Sequence, residues 1–94
     1  MAKFKFDGKV LKDSHSAVIA RVDGDLIKDA HFKIVGRVEG DVIKDAHFTV
    51  VARIDGNNIK DAHFSKIATM DIVRGAIEGP GEQTLVALWL FFVR

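Results

Sequence analysis

The chain contains no cysteine, a single proline and almost no net charge. Each shortage removes a class of function. Without cysteine there are no disulfides, no zinc-thiolate sites and no thiol nucleophile. Fourteen Lys and Arg against thirteen Asp and Glu leave +1 with histidine neutral. No sequence-wide field therefore draws in nucleic acid or anionic lipid, and no nucleic-acid partner is expected. Long apolar runs are missing too. The longest, "LVALWLFFV" at 85–93, falls well short of the roughly 20 residues that a membrane helix needs. It could cross a bilayer only as a tilted strand, and one strand closes no barrel, so a membrane partner is not the expectation. The opening "MAKFKFDGKV" alternates charge with aromatic residues and lacks an apolar h-region, which makes a cytoplasmic protein the default. Absent as well are "GxSxG", "HExxH" and a glycine-rich phosphate loop leading into a helix. Neither an enzyme nor a cofactor is expected.

What is present is a repeat. "KDAHF" stands at 28–32, 44–48 and 60–64, and an altered "KDSHS" at 12–16. Aligned on Asp7-Gly8, Asp23-Gly24, Glu39-Gly40 and Asp55-Gly56, the 94-residue chain holds four units of sixteen: 7–22, 23–38, 39–54 and 55–70. A segment 71–94 with an apolar strand at 84–93 follows, and the whole reads as one small domain, 1–94. Hydrophobic residues at 48% and charged residues at 29% suit a folded chain.

The local signals are those of strands. Ala30, Phe32, Ile34, Gly36 and Val38 alternate with His31, Lys33, Val35 and Arg37, a period of two. The acid–Gly pair marks a turn, Lys-Asp a second bend, and Phe4 and Phe6 a first strand that begins the core. The fold class is therefore all-β. The expected form is a small β-solenoid in which each unit is one coil and like positions stack. Phe32, Phe48 and Phe64 would then make an internal ladder, as would Ile27, Ile43 and Ile59. The alternative is an antiparallel meander or barrel of four hairpins. The solenoid stacks Lys12, Lys28, Lys44 and Lys60 in one column, offset by the neighbouring aspartates. The hairpins, with a two-residue loop at Asp23-Gly24, would set Arg21 opposite Leu26 and need a bulge. "GRVEGDV" at 36–42, with "ARVDGDL" and "ARIDGNN", resembles the turn phrase that recurs in bactofilins, bacterial polymer-forming right-handed β-helices. The resemblance covers seven residues per unit, leaves "KDAHF" without a counterpart, and implies a β-helical coil.

Candidate site residues follow from the fixed columns. His15, His31, His47 and His63 each lie two residues after an aspartate: Asp13, Asp29, Asp45 and Asp61. On one strand face such a carboxylate could fix the imidazole tautomer, the usual support for a metal-ligating histidine. A divalent metal or small anion is the ligand this pattern admits. The spacing of sixteen is not that of a metal motif, and an imidazole that merely fills a bend explains it as well. Arg21, Arg37 and Arg53 form a second column, for an anion or, more simply, for pairing with acids of an adjacent unit. The tail is apolar on both faces of a strand, so Leu85, Val86, Leu88, Trp89, Leu90, Phe91 and Phe92 are expected to meet another subunit. The functional expectation is a structural, self-assembling homo-oligomer, with a metal- or anion-binding module as the alternative.

Overall fold

The computed structural model describes residues 3–93. The strands are β1 (Phe4–Phe6), β2 (Val10–Lys12), β3 (Val18–Asp23), β4 (Leu26–Asp29), β5 (Ile34–Glu39), β6 (Val42–Asp45), β7 (Val50–Asp55), β8 (Asn58–Asp61) and β9 (Lys66–Thr69). Helix α1 (Met70–Ala76), strand β10 (Ile77–Glu78), helix α2 (Glu82–Leu88) and a π-helical turn (Trp89–Val93) complete it. One ten-stranded sheet runs β10-β1-β2-β3-β4-β5-β6-β7-β8-β9. Neighbours from β1 to β9 are antiparallel, and β10 joins β1 in parallel. The chain is thus a small repeat β-fold built as a meander, not as a solenoid, and the sheet is not closed into a barrel. The bactofilin-like phrase marks a turn here, not a helical coil.

Two tight reversals per unit explain the antiparallel choice. The first is the two-residue loop Gly24-Asp25, with Asp23 paired to Leu26. Gly24, Gly40 and Gly56 have φ of 63°, 60° and 60°. No residue after them is left-handed, which is the type II′ arrangement that suits a hairpin's twist. The loop falls one residue later than Asp23-Gly24, so Arg21 faces Lys28 and Val22 faces Ile27. The second reversal lies in "KDAHF".

The acid–Gly hairpins are regular, because the one-residue shift of the loop removes the mismatch that would have needed a bulge there. A bulge lies instead across the other reversal of each unit. Ile27 pairs with Gly36 and Lys28 with Ile34, leaving Val35 over. The extra residue shifts the alternation. Val35 packs on the core beside Gly36 while Ile34 is 43% exposed. Ile19, Val51 and Ile67 are placed in the same way.

The buried residues form one cluster. Leu11, Ile27, Ile43 and Ile59 are fully buried, and so are Val86, Ala87 and Leu88. The C-terminal segment is helical, not a strand. Glu82, Gln83, Leu85, Ala87 and Leu88 favour helix, and past its exposed, polar first residues the helix is apolar and buried. The chain itself covers it, so Leu85, Val86, Leu88 and Trp89 lie in its own core, with Leu90, Phe91 and Phe92 half-buried against it. A small, buried residue recurs at one repeat position: Ala20, Gly36, Ala52 and Ala68. At Gly36 a Cβ would stand 2.5 Å from Phe91 Cζ and 2.6 Å from the Lys44 carbonyl oxygen, so only glycine fits. Helix α1 joins the two sheet edges, and its 7 residues rise about 10 Å. An Arg74–Glu82 ion pair links it to α2. The result is a flat body, 34 × 30 × 18 Å.

Candidate functional site

Each "KDAHF" is a three-residue reversal held by its aspartate. Asp29 Oδ1 accepts the His31 N–H at 2.8 Å and the Lys33 N–H at 3.0 Å. The Phe32 N–H donates to the Asp29 carbonyl at 3.1 Å, and the Asp29 N–H to the Lys33 carbonyl at 2.9 Å. Asp13, Asp45 and Asp61 make the same pair of side-chain bonds. This is the aspartate turn that mimics a backbone turn. The Lys33 N–H above all, opposed by desolvation and helped by the His31 N–H, holds the Asp29 carboxyl below its ordinary value. The proposed carboxylate–imidazole pair is therefore replaced: the carboxylate binds the backbone of the turn. His15, His31, His47 and His63 are exposed in four separate turns. Among the described residues no group of three or more His, Asp or Glu could hold a metal ion.

The turn ends on a left-handed residue. Phe32, Phe48 and Phe64 have φ of 67°, 65° and 65°. They are 63%, 61% and 64% exposed, which overturns the internal ladder. They do not stand alone. Arg21 Cζ lies 4.6 Å from the centre of the Phe32 ring, Arg37 Cζ 5.0 Å from Phe48, and Arg53 Cζ 5.1 Å from Phe64. These are cation–π contacts. The turn swings Phe over the hairpin that carries the arginine, a juxtaposition that eleven residues of separation conceal in the sequence.

The turn acids take lysines, not these arginines, as their ion-pair partners. Arg21 lies directly across from Lys28, a like-charge pair that needs relief. The lysines supply it by turning to the turn acids: Lys28 to Asp23 at 3.5 Å, Lys44 to Glu39 at 2.6 Å, Lys60 to Asp55 at 3.0 Å. The Lys44 hydrogen bond holds the Glu39 carboxyl below its ordinary value. None of these ion pairs involves Arg21, Arg37 or Arg53. Their Nε atoms are sealed from solvent without an acceptor. The expected arginine–acid pairing thus gives way to stacking on phenylalanine.

Each stack lines a cleft. The one at Arg21 and Phe32 has a volume of about 660 Å³, that at Arg53 and Phe64 about 300 Å³, and that at Arg37 and Phe48 about 160 Å³. Chemically each cleft offers a planar cation and an open aromatic face, and the first and third add a lysine–carboxylate pair. The sixteen-residue pattern puts Lys5 and Ser16 at the preceding pair of positions and Thr69 and Pro80 at the following pair, so the stack is confined to three units. The arginine column was legible in the sequence. Phe32, Phe48 and Phe64 were not legible as site residues, because alternation assigns them to the core.

The model of one protein family, described as 5-fold beta-flower protein, matches residues 2–92. No curated protein and no solved structure matches.

Proposed function

The chain belongs to the 5-fold beta-flower family, and from there we propose that it is a non-catalytic binding module with three like clefts for small anionic ligands. The observation that carries this reading is the triple recurrence of an arginine stacked on an exposed phenylalanine while its neighbouring acid is engaged by lysine. Arginine is charged at every relevant pH and presents a fork that matches carboxylate or phosphate oxygens. Stacking holds that fork in place, which lowers the ordering cost of binding. The open face of the ring takes the planar or apolar part of the ligand.

Self-association through the C-terminal segment is not part of this reading, because Leu85, Val86 and Leu88 are covered by the chain's own core. The test is a titration with benzoate, followed by the arginine Nε–H signals in ¹⁵N-edited NMR spectra. Saturable shifts at Arg21, Arg37 and Arg53 at roughly millimolar concentration are expected from so few contacts. If neither benzoate nor an aromatic phosphate moves any of the three, the binding reading is wrong.

A further inference from the structure

The three clefts are alike in plan but not in charge. At the position that follows the turn glycine the units carry Lys9, Asp25, Asp41 and Asn57. The first cleft is lined by Lys9, Arg21, Lys28 and one acid, Asp23, for a local charge of +2. The third is lined by Arg53 and Lys60 against Asp41 and Asp55, which balance. The second is lined by Arg37 and Asp45, and these balance too. The first cleft also has the loosest lysine–acid pair, 3.5 Å against 2.6 and 3.0 Å, so Lys28 is the lysine most available to a ligand. The C-terminal segment adds Pro80 and Thr84 as a wall found only here, and the volume is about 660 Å³, within the range of small-molecule sites.

Resting on the binding reading above, we infer that the first cleft is a site for a phosphate monoester carried on a compact, partly apolar molecule. Such a group holds a charge of about −1.5 to −2 near neutral pH, which matches the +2 of this cleft and is repelled by the added acids of the others. The phosphate would lie between Arg21, Lys28 and Lys9, with the apolar part against Phe32 and Pro80.

The experiment titrates the full chain with phenyl phosphate and, separately, inorganic phosphate, reading the three arginine Nε–H signals. Phenyl phosphate should shift Arg21 at about tenfold lower concentration than Arg37 or Arg53. Inorganic phosphate should bind more weakly than phenyl phosphate, since it leaves the apolar wall unused. Lys9→Asp, at an exposed turn position where two other units already carry aspartate, should remove the advantage of Arg21. Asp41→Lys should confer a similar gain on Arg53. Equal response of the three arginines to phenyl phosphate, or an advantage that survives Lys9→Asp, overturns the inference and leaves the general binding reading standing. Equal affinity for the two phosphates overturns the apolar part of the assignment. Silence of all three toward benzoate and phenyl phosphate alike overturns both readings.

Discussion

Phe32, Phe48 and Phe64 hold a left-handed backbone that glycine adopts without steric cost. For a side chain of this kind the conformation costs roughly 1–2 kcal/mol, and an exposed cation–π contact returns only about 0.5–1 kcal/mol. The phenylalanines are thus close to neutral for folding, which fits a residue present for its exposed ring. Phe48→Gly should change unfolding free energy by less than about 1 kcal/mol, far from the 3–5 kcal/mol typical of a core phenylalanine truncation. Chemical denaturation measures the difference, and a loss in the core range would restore Phe48 to the interior. The same variant should expose the Arg37 Nε–H to faster solvent exchange.

At the scale of the element, the reversals carry the acid dependence of the fold. Asp7 is held below the ordinary aspartate value first by the Lys9 N–H, Asp29 by the Lys33 N–H, and Glu39 by Lys44. The unfolded chain therefore binds protons at these sites more tightly than the folded one. The stability they contribute is complete above the ordinary values of 3.8 for aspartate and 4.5 for glutamate. It is lost as pH falls through the lowered ones. The melting temperature should stay level from neutral pH to about 5 and drop below about 4. Asp29→Asn keeps an acceptor for both N–H groups but cannot titrate, so its melting temperature should fall less across the acid range. An identical acid profile for that variant would show that the turn does not contribute.

For the whole molecule, the decisive contact is between the sheet and the C-terminal segment. Fully buried Leu88 packs in one cluster with residues contributed by all four units. Leu88→Ala should cost about 2–5 kcal/mol of folding stability, with a denaturation midpoint independent of protein concentration. A midpoint that rises with concentration would instead place the segment between subunits. The bridge formed by α1 gives the flat body its other global property. It ties together the two outer strands, β9 and β10, which stand at opposite edges of the open sheet.

The sequence by itself determined the four units, the strand character of their apolar stretches, the turns at the acid–glycine pairs and the burial of Ile27, Ile43 and Ile59. These are written in neighbouring residues: glycine's positive φ, period-two alternation and a repeat that recurs every sixteen positions. The direction of strand pairing, the helical tail and the site were decided only in three dimensions. A period does not reveal whether successive strands run together or opposed, and an apolar run of nine residues serves equally as strand or buried helix until its neighbours are known. The arginine–phenylalanine clefts depend on a turn that lifts Phe32 out of the core and over Arg21, and on a lysine that takes the acid the arginine would otherwise bind. Both are contacts across strands, and no local rule records them.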